Sequence, residues 1–191
     1  MSISLTKGQR LSLNKASSTP LKAVSMGLGW DAKKKLFGLL GGSIDLDASC
    51  LEFDAQGNMI DAVWFQQLQS RDGAIRHSGD NLTGDGEGDD EVIHVALDRL
   101  PASVQSLVFT VNSFTGQSFK EVQNAYCRLI DASNQKELAR YTLTETGDYT
   151  AQIMSRLYRH EGEWKLHAIG DAATGRIKTF HDMVPMIKQH L

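Results

Sequence analysis

Cysteine, long apolar runs and the usual catalytic motifs are all scarce in this chain, and each scarcity removes a class of protein. Cys50 and Cys127 are its two cysteines, far apart and each in a strand-like run. That is too little sulfur for a disulfide framework or a thiolate metal site. They read most simply as buried thiols in a reducing compartment, with a disulfide or a nucleophilic role left open. No segment approaches ~18 consecutive apolar residues. The N-terminal MSISLTKGQRLSLNK alternates polar and apolar residues without a stretch of signal-peptide length, so a cytoplasmic protein is expected. Six histidines are scattered singly, never at metal-site spacing. GxSxG, HExxH, CxxC and GxxxxGK[ST] are missing, and Gly27-Leu28-Gly29 lacks the third glycine of a dinucleotide fingerprint.

What the chain does have is one concentrated run of negative charge. Twenty Lys and Arg stand against twenty-three Asp and Glu, a formal net charge of -3. Yet Asp80, Asp85, Glu87, Asp89, Asp90 and Glu91 fall in one stretch, HSGDNLTGDGEGDDE, that contains no Lys or Arg. Without those six carboxylates the chain would be +3. Two carboxylates ~7 Å apart near a protein surface repel by roughly 2 kcal/mol at an effective dielectric of 20. Such a run either stays solvated or folds around a cation. Its donors are oxygens apart from His77, which favours Ca²⁺ or Mg²⁺ over softer metals. Four glycines let a tight loop turn carbonyls inward, and Ca²⁺ tolerates that irregular shell better than Mg²⁺. The run is not an EF-hand: a start at Asp85 needs Gly where Asp90 stands and Glu where Ala96 stands, and a start at Asp80 fails at Leu82.

The rest reads as scaffold. At 191 residues one domain spanning 1–191 is expected. Short strand signals cover Ala23 to Trp30, Ile44 to Phe53, Met59 to Gln67, Ile75 to Ser78, Val92 to Leu97, Leu107 to Ser113, Ala125 to Ile130, Glu137 to Leu143, Gln152 to His160 and Glu163 to Ile169. Ile3 to Leu5 and Arg10 to Asn14 flank Lys7-Gly8-Gln9 as an expected hairpin. Together they predict an all-β antiparallel sandwich of about ten short strands. Ser118 and Glu121 cap a short helical turn. Ile177 to His190 has helical spacing, broken or kinked at Pro185, and is expected to pack on the sandwich as a terminal helix.

In Ser43-Ile44-Asp45-Leu46-Asp47, the strand period of two puts Asp45 and Asp47 on one face, as a solvated edge or as metal ligands. Asp31 is a third candidate. If these loops meet the acidic run at one end of the sandwich, the oxygens suffice for two Ca²⁺, each taking 6 to 8 ligands. Lys33 to Leu40, with three lysines beside Leu36, Phe37, Leu39 and Leu40, emerges next to that site. It is either a surface loop folded back on the sandwich or a contact loop for anionic lipid or an acidic partner.

GLGWD at Gly27, DLDAS at Asp45, HSGDNLTGDGEGDDE at His77 and LYRHEGEWKLHAIG at Leu157 resemble the signature stretches of the TerD-type tellurium-resistance and stress-protein family. SIDLDASC, DAVWFQQL, LVFTVNSFTGQ and KELARY are most similar to its TerZ branch. The resemblance implies a cytoplasmic calcium-binding β-sandwich, free or at the periphery of the inner membrane, with acidic metal-binding loops at one end holding two Ca²⁺. It implies resistance to tellurite, some phages and colicins, and other tellurium-resistance operon proteins as partners, among them a TerC-type membrane protein. The family's acidic positions fall on Asp31, Asp45, Asp47, Asp80, Asn81, Asp89, Asp90 and Glu91. Asp85 and Glu87 are acidic in the pattern too, while the segment after Gly170 departs from it. The expectation is a non-enzymatic calcium-dependent interaction module, since Ca²⁺ is a weak Lewis acid and no general base stands out. The alternative is a metal-dependent hydrolase or nucleotide-binding protein. Nucleic acid is not an expected partner, because the acidic surface repels phosphate.

Overall fold

The computed structural model describes residues 2–17, 20–32, 45–80, 88–143, 147–173, 177 and 179–191. In order these form β1 (Ile3–Leu5), β2 (Arg10–Ser12), α1 (Leu13–Ala16), β3 (Ala23–Ala32), β4 (Leu46–Phe53), β5 (Met59–Val63), β6 (Ile75–His77) and β7 (Glu91–Ala96). Then come β8 (Ser106–Ser113), β9 (Val122–Asp131), β10 (Lys136–Thr142), β11 (Ala151–His160), β12 (Glu163–Ala173) and α2 (Phe180–Ile187). Two six-stranded sheets result, one ordered β1-β10-β9-β3-β7-β6 and the other β2-β12-β11-β8-β4-β5. Every described pairing is antiparallel except β1 with β10. The predicted sandwich is therefore present, and each predicted strand forms within a few residues of its expected bounds.

The expected hairpin of the first fourteen residues does not form. β1 joins the first sheet beside β10 and β2 joins the second beside β12, so the turn at Lys7-Gly8 crosses between sheets. Gly8 N–H donates to the Ala168 carbonyl at 2.7 Å, and Ala168 N–H returns to Gln9 at 2.9 Å. The backbone groups of the two short strands are satisfied by distant partners rather than by each other. Asn14, expected in a strand, lies in α1, a single turn anchored by buried Leu13.

Burial explains why the strands read so differently as sequence. β7 alternates, with Ile93 and Val95 buried and His94 exposed, because one face of its sheet meets solvent. β4 and β8 are buried along their whole length. One face of β4 and β8 packs between the sheets through Leu46, Cys50, Leu107, Phe109 and Val111. Their other face lies under α2, where Leu51, Phe53 and Val108 meet Phe180, Met183 and Ile187. The three helix residues recur at helical spacing and bury one stripe. Thr179 and Asp182 close a capping box at its start, and after Ile187 the chain tightens into a 3-10 turn, Lys188–His190. Pro185 sits inside α2, whose stripe of buried side chains holds it on the sheet regardless. Cys50 and Cys127 are free and buried, and burial pushes both thiols up, that of Cys127 to about 12. Among the described residues no helix is long and apolar enough to cross a membrane.

Candidate metal centre

Three carboxylates from two separate segments converge at one end of the sandwich. Asp45 and Asp47 enter with β4 and Asp80 follows β6, and one oxygen from each lies within 4.8 Å of the others. Asp47 is 3% exposed, and among the described residues its Oδ2 accepts only a long bond from Asn112 Nδ2, 3.4 Å. Asp45 Oδ1 is buried without a partner. Burial, then repulsion from Asp45, Glu91 and Asp80, pushes the Asp47 carboxyl up to about 7. Burial, Asp80 and Glu91 raise Asp45 as well. Among the described residues no Lys or Arg forms an ion pair with any of the three. Asp45 is half-buried and Asp80 exposed, but carboxylates crowded this closely around the buried Asp47 are high in energy unless a proton or a cation joins them.

Glu91 backs the triad without entering it. Its side chain is fully buried, its Oε2 accepts the Ala48 N–H at 2.7 Å, and His77 Nε2 stands 3.3 Å away. His77 Nδ1 accepts the Gly79 N–H at 3.1 Å, which leaves the proton of a neutral imidazole on Nε2, facing Glu91. Glu91 thereby ties β7 to β4 across the sandwich and sets where Asp47 sits.

The other acidic positions lie elsewhere. Asp89 Oδ1 takes Arg128 Nε at 2.7 Å and the Tyr126 hydroxyl at 3.0 Å. Arg128 also reaches Glu137 at 3.3 Å, and Arg140 donates twice to Glu137 and stacks 4.1 Å over the Tyr126 ring. Burial alone would raise Glu137, but hydrogen bonds from Arg140, Ser2 and Arg128 outweigh it and hold the carboxyl at about 2. This clamp explains the GLG of β3. A Cβ on Gly27 would overlap the Asp89 carboxylate, and one on Gly29 would stand 2.5 Å from the Tyr126 ring. Asp90 Oδ2 accepts the Trp30 N–H at 2.8 Å, and exposed Asp31 accepts Asn124 Nδ2 at 2.7 Å. Burial raises Asp90 against that bond, with Asp31 and Asp89 adding to the rise. Asn81, Asp85 and Glu87, like Lys33 to Leu40, lie outside the described residues.

Another buried carboxylate was not singled out by sequence. Glu52, 1% exposed near the far end of β4, has an Oε1 without a partner. Burial, Asp72 and Asp61 push it up to about 7. Asp61 is taken by Gln67 Nε2 and the Arg71 N–H, and Asp72 by the Ser70 hydroxyl and the Ala74 N–H. Only the even phase of Glu52 with Cys50 could have flagged it as inward-facing. Arg128 and Tyr126 gave no sequence signal, because they act through Asp89, 37 or more residues away.

The oxygen donors, the orphaned Asp45 atom and the unneutralised charge suit a hard cation such as Ca²⁺ or Mg²⁺. Comparison with known proteins agrees with the sequence resemblance. The TerD domain model matches residues 1–183. The tellurium resistance protein TerZ of Serratia marcescens is 55% identical over 95% of this chain and 94% of its own length. The stress response protein SCP2 of Bacillus subtilis is 41% identical over 90% of this chain and 92% of its own. The crystal structure of a homologue of the telluride resistance protein TerD from Streptomyces coelicolor superposes with a TM-score of 0.69 at 23% identity, covering 84% of this chain and 95% of that one. The chain belongs to the TerD family of tellurium-resistance and stress-response proteins.

Proposed function

We propose that this chain is a non-enzymatic calcium-binding protein whose metal-loaded end acts as a calcium-dependent interaction module. The observation that carries this reading is the triad of Asp45, Asp47 and Asp80, drawn together within 4.8 Å with no Lys or Arg among the described residues paired to it. A divalent cation there would replace the protons that burial and mutual repulsion otherwise favour. Residues 81–87, acidic and glycine-rich, are the natural source of further oxygens and of a second ion. Bound only by the folded state, Ca²⁺ stabilises by RT ln(1 + [L]/Kd), about 2.7 kcal/mol at a hundredfold excess over Kd.

The interaction role rests on family membership and on the sequence of Lys33 to Leu40, three lysines beside four large apolar residues. Calcium would neutralise the acidic rim and let three lysines approach an anionic membrane or an acidic partner. Other tellurium-resistance proteins, including a TerC-type membrane protein, are the proposed partners, and the cytoplasmic face of the inner membrane the proposed location. Calorimetric Ca²⁺ titration of chelator-stripped protein, with Mg²⁺ as competitor, tests the metal. About two Ca²⁺-selective sites, at least one lost in Asp47→Ala, are expected; no heat and an unchanged melting temperature would sink the reading. Flotation with anionic liposomes tests the docking, which should need calcium.

A further inference from the structure

The outer face of the second sheet changes character halfway across. Over β4 and β8 it is apolar and lies under α2. Where the 3-10 turn after α2 ends at His190, the sheet emerges uncovered and becomes cationic. A cavity of about 590 Å³ opens there over β2, β12 and β11, lined by four Lys or Arg side chains and one carboxylate. Strand register builds it. His167 stands directly between Arg10 on β2 and Arg156 on β11, and in the next outward row Lys165 stands between Ser12 and Tyr158. Lys15 on α1 closes one side.

Arg10 and Arg156 thus flank one imidazole from the two neighbouring strands, with Lys165 one row outward, a positive surplus that calls for a counter-charge. The one carboxylate does not supply it. Glu163 accepts the Ser12 hydroxyl at 2.7 Å and is 3.6 Å from Lys165. Among the described residues no carboxylate is within ion-pair distance of Arg10 or Arg156. Arg156 is instead held in place by neutral groups. Its Nε and Nη2 donate to Ser106 Oγ at 3.0 and 2.7 Å, its Nη1 donates to the His190 carbonyl at 2.6 Å, and it stacks 4.7 Å over Tyr158. A guanidinium fixed in this way loses little entropy on meeting an anion. Burial first, then the charges of Arg10, His190 and Arg156 against the opposing Asp171, hold His167 below the usual imidazole range.

We propose that this face binds a small, multiply charged phosphate compound, with Arg10, Arg156 and Lys165 as its charged contacts and Tyr158 as its floor. The cavity has the volume of a site for a sugar phosphate or nucleotide. It is separate from the metal centre. Asp47 is in register with Asn112, and Asn112 with Ala151; Arg156 lies five residues further along β11, about 16 Å at the usual rise per residue.

Inorganic tripolyphosphate is the probe, titrated calorimetrically into the full chain at about 0.15 M ionic strength with chelator present. One saturable site is expected. Arg10→Glu and Lys165→Glu, each still showing the wild-type melting transition, should weaken it at least roughly tenfold. Lys136→Glu makes the same charge change at the exposed start of β10 and should leave binding unchanged. The proposal is overturned by an absence of saturable binding up to about 1 mM, by equal weakening in Lys136→Glu, or by binding that requires the metal. Capture of the chain on phosphatidylserine vesicles without competition from tripolyphosphate would assign the face to a membrane and overturn it equally.

Discussion

Asp47 and Asp89 are both buried carboxylates at the acidic end, and the protein treats them in opposite ways. Asp89 has a guanidinium and a phenol within hydrogen-bonding distance. Asp47 has a long bond from one amide and two other carboxylates. The first has a protein counter-charge; the second has none among the described residues. Carboxylates that already own a protein counter-charge are therefore poor candidates for metal, however acidic their stretch of sequence.

The largest effect should come from breaking the Asp89 ion pair. Arg128→Ala leaves Asp89 buried beside Tyr126 alone, and should destabilise by about 3 kcal/mol, the lower end for removing one partner of a buried pair because Arg128 keeps some solvent contact. Urea unfolding measures this, and calcium affinity should change little. Asp47→Asn should do the reverse. The folded state raises the Asp47 carboxyl to about 7, so its stabilising contribution is full below the unfolded value near 4 and is lost as pH rises through 7. At pH 8 without metal the Asn variant should therefore be more stable than wild type, by roughly 1–3 kcal/mol, while its melting temperature no longer responds to Ca²⁺. A variant as calcium-responsive as wild type would erase the distinction between the two aspartates.

Glu52 sharpens it further, being a buried carboxylate with neither counter-charge nor a metal cluster. Its folded value is also raised, to about 7, so wild type should lose stability between about pH 4.5 and pH 7. Glu52→Gln should flatten that part of the profile by about 2 kcal/mol, with or without chelator, and thermal melts across pH would show it.

Most of the secondary structure was legible in the sequence because it is local. Alternation along Val92 to Leu97, the turn at Ser118 and the stripe from Phe180 to Ile187 each follow from a few adjacent residues. Which sheet a strand joins was not legible. Ile3 to Leu5 and Arg10 to Ser12 carry identical strand signals, yet their partners are residues 139–141 and 165–167. The acidic candidates were legible as a group but not as individuals. Asp45, Asp47 and Asp80 come together only through the pairing of β4 and the position of β6, and Asp89 is diverted by an arginine on β9 that no spacing rule connects to it.

The crossing at Lys7-Gly8 also bears on the order of assembly. β1 and β2 each cap an edge of a different sheet, and an uncapped edge is a template for pairing with another chain. These strands leave the ribosome well before their partners, which emerge more than 130 residues later. At ordinary translation rates that is roughly ten seconds or more. A clasp synthesised early can thus fasten only once those later strands are made, and until then both sheets present open margins to whatever else is being made nearby.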